Sequence, residues 1–108
     1  MAKLKTASFA PGQLVRHARF GYRGLIFDVD ACYSQSAEWY ESMAKSEPAK
    51  NRPWYHVLVD GEVHTTYVAE ENLQLCTEET PFEHPLFGHL FHGGTCDNGI
   101  FEARYSIN

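Results

Sequence analysis

Residues 54–68 constrain the fold more than any other stretch. Trp54-Tyr55-His56-Val57-Leu58-Val59 is a run of aromatic and β-branched residues, Asp60-Gly61 interrupts it, and Glu62-Val63-His64-Thr65-Thr66-Tyr67-Val68 resumes it. Asp-Gly between two such runs is a strong hairpin signal, because both residues accept the positive φ of a tight turn whose twist matches that of the strands. A two-residue turn sets Val59 opposite Glu62, Leu58 opposite Val63, His56 opposite Thr65 and Trp54 opposite Tyr67. One face of the hairpin is then Trp54, Leu58, Val63 and Tyr67, and it has to be covered. Tyr55, Val57 and Val59 share the other face with His64. The ring systems of Trp54, Tyr55 and Tyr67 can in principle form a pocket for a base or a methyl group, but the apolar face on which Trp54 and Tyr67 fall suits core packing.

A second hairpin precedes it. Leu14 to Ala18 and Leu25 to Asp30 are short β-rich runs around Arg19-Phe20-Gly21-Tyr22-Arg23-Gly24, where Gly21 and Gly24 permit positive φ or close backbone approach. Alternation puts Leu25, Phe27 and Val29 on one face of the later run, and Ile26, Asp28 and Asp30 on the other. In the earlier run Val15 and His17 share a face, as do Leu14 and Arg16.

The long connection from Ala31 to Arg52 calls for structure of its own. Ser36 is suited to cap a short helix running through Met43, with Glu38 favourable in its first turn and Trp39 and Met43 one turn apart. After the second hairpin, Ala69 to Leu75 reads as a helical turn leading into a short strand. In the tail, Leu86, Phe87, Leu90 and Phe91 recur at helical spacing, with Pro85 at the start and Gly93-Gly94 at the stop. Asp97-Asn98-Gly99 is a turn signal, and Ile100 to Tyr105 a last strand. The fold class is therefore mainly β: a small barrel of about five strands, with short helices in the 31–52 connection and the tail. We expect a flexible N-terminus over 1–11 and one domain over 12–108, in which residues 81–108 extend the barrel and pack on it or on a neighbouring subunit. A homo-oligomer is thus one expected arrangement.

Charge is distributed unevenly. Residues 1–27 hold Lys3, Lys5, Arg16, Arg19 and Arg23 and no acidic residue, while all 14 Asp and Glu lie at Asp28 or later, within a net charge of −5. A basic pole on an acidic body can meet a polyanion that the average charge would repel. With 14% aromatic residues the chain can bury a modest core. No apolar run is long enough for a membrane helix, and the charged first residues are not followed by the apolar stretch of a signal peptide, so a cytoplasmic protein is expected. Cys32, Cys76 and Cys96 have no metal or redox spacing and read as reduced thiols.

Taken together, Gly12-Gln13-Leu14-Val15-Arg16-His17, Gly21-Tyr22-Arg23-Gly24, Asp28-Val29-Asp30, Tyr33-Ser34, Pro53-Trp54-Tyr55-His56-Val57, Val63-His64-Thr65 and Tyr67-Val68-Ala69-Glu70 resemble the bacterial HspQ family, also described as the YccV-like hemimethylated-DNA-binding domain. The resemblance spans Gly12 to Leu75. It implies an SH3-like β-barrel and a small bacterial cytosolic protein, heat-inducible in some members, that binds hemimethylated DNA and acts with ATP-dependent proteolysis of damaged proteins. It implies no catalysis and supplies no agreed set of DNA-contacting residues. Within it, His17, Gly21, Gly24, Asp28, Asp30, Trp54, Tyr55, His56, His64 and Tyr67 form the structural motif. The tail from Pro81 to Asn108 departs from the relatives, being rich in His and Phe rather than charged.

The candidate DNA contacts are Arg16, Arg19, Tyr22 and Arg23 around the first turn, with Lys3 and Lys5 on the N-terminal segment. Cations there would neutralise phosphates, and Tyr22 would lie beside the bases of a hemimethylated GATC site. The alternative function is that of an adaptor for an ATP-dependent protease, with Phe82, Leu86, Phe87, Leu90 and Phe91 as the partner-binding surface. No cofactor or metal is expected: His84, His89, His92, Cys96 and Glu83 match no standard zinc spacing. His17, His56 and His64 with Asp28 and Asp30 could serve a hydrolase only beside a nucleophile motif, which is absent, so the chain reads as non-enzymatic.

Overall fold

A computed structural model describes residues 7–78, 80–91, 100 and 101. Five antiparallel strands form one sheet: β1 (Leu14–His17), β2 (Arg23–Asp30), β3 (Trp54–Val59), β4 (Thr65–Ala69) and β5 (Leu73–Leu75), in the order β4-β3-β2-β1-β5. Two short helices, α1 (Ala37–Met43) and α2 (Phe87–Leu90), complete the described elements together with a 3-10 turn at Glu70–Asn72. The outermost strands, β4 and β5, are joined by that turn alone. In a flat sheet they would lie four spacings apart, about 19 Å at roughly 4.8 Å each, and a three-residue 3-10 turn rises only about 6 Å. The sheet must therefore coil until its edges approach, although β4 and β5 do not pair with each other. The mainly β expectation holds, as an open, strongly curled sheet rather than a closed barrel.

Both faces of this sheet are buried. Adjacent residues Leu25 and Ile26 of β2 are each fully inaccessible, as are Val57 and Leu58 of β3. Leu14, Leu25 and Leu58 point to one side and pack with Cys76, Phe82, Phe91 and Phe101. Val15, Ile26, Tyr55, Val57, Val68 and Leu73 point to the other. The simple alternation expected for β2 fails for a local reason. A register shift between Ile26 and Asp28 in the pairing with β3 marks a bulge at Phe27, which exchanges the faces of the residues beyond it. Val29 consequently joins the Ile26 cluster, while Phe27 stays with Leu25.

The second hairpin differs from its expected register by two residues. Leu58 pairs with Thr65, His56 with Tyr67 and Trp54 with Ala69. Because the shift is even, Trp54 and Tyr67 keep a common face and stack with ring centroids 5.1 Å apart. Val63, however, is displaced into the loop and is 79% exposed. The tail overrides the local turn preference. Asp60 Oδ1 accepts the Glu83 N–H at 2.8 Å, and the Gly61 N–H donates to the Glu83 carbonyl at 2.7 Å.

Local signals set α1 directly. Ser36 caps it, its Oγ accepting the Trp39 N–H at 3.0 Å, and the helix ends at Met43 as expected. The α2 helix is shorter than the spacing suggests: Pro85 and Leu86 form a turn in which His84 Nδ1 accepts the Leu86 N–H, and the regular helix starts at Phe87. Gln13 bridges to Ile100, and the Phe101 N–H donates to the Gly12 carbonyl at 2.6 Å. The rest of the expected last strand, the Asp97-Asn98-Gly99 turn and Gly93-Gly94 lie outside the described residues.

Candidate functional site

The turn between β1 and β2 is organised by one imidazole. His17 is 6% exposed, and its Nδ1 accepts the backbone N–H groups of Arg19 and Phe20, each at 3.1 Å. An acceptor at Nδ1 places the proton of the neutral ring on Nε2. Burial, and secondarily the Arg19 guanidinium, lower the His17 pKa from its ordinary 6.5. Phe20 stacks on the ring at 4.7 Å and is still 78% exposed. Gly21 supplies the φ of +77° that the turn needs, and Gly24 allows close packing, since a Cβ there would lie 2.3 Å from Val57 Cγ1. Tyr22 is half-buried, and its hydroxyl bonds Thr66 Oγ1 of β4 at 2.7 Å, tying the turn to the sheet edge.

The three arginines of this hairpin have different surroundings. Arg23 is 5% exposed, and all five of its N–H groups are bonded: Nε and Nη2 to Asp60 Oδ2 at 3.0 and 2.7 Å, Nη1 to the Glu78 and Thr80 carbonyls, and Nη2 to the Pro81 carbonyl. Its guanidinium also lies over the Phe82 ring. No donor remains for a phosphate, which corrects the expectation that Arg23 contacts DNA. Arg16 is partly exposed and divided between the Gly21 carbonyl and Glu78, both at 2.6 Å. Arg19 is exposed, and its guanidinium has no hydrogen-bond or ion-pair partner among the described residues. Lys3 and Lys5 lie outside the described residues.

Beside Arg19 opens a cleft of about 470 Å³. Its floor is β4, an edge strand, from Thr65 to Ala69. One wall is the β1–β2 turn with Arg19, Phe20 and Tyr22, and the other is Trp39 and Met43 of α1 with Lys45, Ser46 and Pro48 beyond it. Among the described residues no Asp or Glu lines it. Asp30 sits behind the wall, accepting the Tyr67 hydroxyl at 2.7 Å and contacting His56 Nε2 at 3.0 Å. Burial and that carboxylate push the Tyr67 pKa upward, so the phenol stays protonated. Trp39, Lys45, Gln35 and Asn72 were not expected here from sequence. Ser36 and the Trp39/Met43 spacing gave the helix, but nothing local shows that α1 folds back toward the first turn.

The remaining expected residues separate. Asp28, Asp30 and His56 each offer a donor atom within 4.8 Å of the others, an arrangement able to hold a cation. Asp30 and His56 are already bonded to each other, and Asp28 Oδ1 accepts the Val29 N–H. His64 is exposed and outside the cleft, its carbonyl accepting from His84 Nε2. Tyr55 is buried, its hydroxyl donating to Glu70 while accepting the Ser8 and Phe9 N–H groups. Of the tail residues, Phe82 and Phe91 are in the core, Phe87 and Leu90 pack against it, and only Leu86 is mainly exposed. This corrects the reading of the five as one partner-binding surface: four of them, Phe82, Phe87, Leu90 and Phe91, pack on the sheet. His92 and Cys96 lie outside the described residues.

A family model described as hemimethylated DNA-binding protein YccV like matches residues 7–97. The chain belongs to the YccV-like family. That assignment covers the sheet, the cleft and the start of the tail, and the YccV-like family is a DNA-binding rather than an enzyme family. No helix among the described residues is long and apolar enough to cross a membrane.

Proposed function

We propose that this YccV-like domain holds hemimethylated DNA against the cleft between the β1–β2 turn and α1, with Arg19 and Lys45 on phosphates and Phe20 facing the bases. The observation that carries this reading is the lining of the cleft. In a chain with 14 acidic residues and a net charge of −5, a cleft with no carboxylate among its described lining residues includes a lysine and an arginine that has no partner among the described residues. Such a patch gives a duplex a place to approach on a chain that is acidic on average. Arg16 contributes at the margin, and Lys3 and Lys5 add charge from the N-terminal segment. The protein acts without catalysis, in the cytoplasm.

The adaptor alternative drew on an apolar tail available to a partner. Phe82 and Phe91 are in the core, so the adaptor reading keeps the acidic body as its ground, and a role in heat stress or proteolysis rests on the family resemblance.

The test is a titration of a hemimethylated GATC duplex at two salt concentrations. Arg19→Glu with Lys45→Glu should weaken binding at least about tenfold and flatten the salt dependence by roughly one unit of slope per lost phosphate contact. Undiminished binding by the double variant would remove this surface from the interface. A wild type that does not bind at low salt would remove the function.

A further inference from the structure

The same cleft is shaped for more than a backbone contact. Its volume falls in the range of small-ligand sites, roughly 300–1,000 Å³. Its polar lining includes two side-chain amides, Gln35 and Asn72, that make no hydrogen bond among the described residues. Asn72 is half-buried in the 3-10 turn, and its amide is open to the cleft rather than spent on an internal bond among the described residues. A carboxamide offers a donor beside an acceptor, the complement of an adenine edge, and an N6-methylated adenine keeps one N6–H for that pairing. Trp39 and Tyr67 supply aromatic surface, and Met43, 63% exposed at the mouth, supplies an apolar site for a methyl group. As the outer strand, β4 adds backbone donors and acceptors along the floor. Phe20 stands at the entrance, held by its stack on His17.

We infer that the cleft captures the methylated adenine itself, turned out of the duplex, while Phe20 fills the space the base leaves in the stack. Resting on the DNA-binding reading above, this gives that reading a means of telling methylated from unmethylated strands. No covalent bond is made or broken. The cost is one base pair and its stacking, and Phe20 offsets part of it as apolar wedges do elsewhere.

Two duplexes test it, one with the methylated adenine opposite thymine and one with it opposite an abasic site. Removing the pairing partner removes much of the cost of extrusion, so the abasic duplex should bind at least about tenfold tighter and quench Trp39 fluorescence, read against a Trp39→Phe control. Asn72→Ala and Gln35→Ala break no side-chain hydrogen bond among the described residues and should each reduce affinity for the methylated duplex several-fold while leaving the salt slope unchanged. Phe20→Ala should narrow the difference between methylated and unmethylated DNA. Salt-dependent binding that is equal for the two duplexes, with Trp39 unquenched, would overturn base capture and leave the DNA-binding reading standing. Absence of binding to either duplex would overturn both.

Discussion

The two ends of the first hairpin turn show how surroundings assign work to identical side chains. At one end Arg23 meets Asp60 and the carbonyls of Glu78, Thr80 and Pro81 and disappears into the structure; at the other Arg19 meets no acceptor among the described residues and faces the open cleft. The same contrast divides the sheet. One face is closed by Phe82, Phe91 and Phe101 from the tail, while β4 at its edge is left to line a cleft. A basic residue close to acidic loops becomes a structural clasp, and one without acidic neighbours stays available to a polyanion.

Breaking the clasp should have the largest effect. Arg23→Ala strands the Asp60 carboxylate and three carbonyls, and loss of one partner of a buried pair costs about 3–5 kcal/mol. Urea denaturation should show that loss and limited proteolysis should cut the tail. A change below about 1 kcal/mol would mean that the tail is held by apolar packing alone.

His17 tests the opposite end. Its alanine variant removes the acceptor of two backbone N–H groups, worth roughly 1–3 kcal/mol, and should loosen Arg19 and Phe20 together. The pH dependence has a definite sign. Because the folded-state pKa lies below 6.5, the native protein binds fewer protons than the unfolded chain just beneath that pH. The stabilisation is complete above 6.5 and declines as pH falls from there through the folded-state pKa. Urea midpoints for wild type and His17→Ala, compared at pH 7.5 and pH 5, should converge on acidification; parallel curves would exclude His17 as the source.

The smallest effect belongs to Arg16, intermediate between the two. Its ion pair with Glu78 is substantially exposed on both sides, so Arg16→Ala should cost at most about 1 kcal/mol. Its effect on DNA affinity should be well below that of Arg19→Glu. If the two proved equal, the interface would extend around the hairpin onto the tail side.

Sequence carried most of the elements and little of their assembly. The Ser36 cap, the turn before β5 and the Trp54/Tyr67 face were legible because each depends on neighbours within a few residues. The β3–β4 register was not, since Asp60 and Gly61 bind Glu83, more than twenty residues away. Neither was the distinction between Arg19 and Arg23, four residues apart, because it depends on where Glu78, Thr80 and Pro81 return to the sheet. The cleft lay beyond sequence for the same reason: Lys45 and Asn72 meet Arg19 only through the curl of the sheet and the fold-back of α1.

The bond between Gly12 and Phe101 also bears on how the protein is made. Phe101 completes a cover over Leu14, Leu25 and Leu58 that Cys76, Phe82 and Phe91 begin, and until these residues dock that side of the hairpins is open to other chains. Core closure therefore waits on residues made well after the hairpins they cover, and the uncovered hairpins are the species most in need of protection from aggregation.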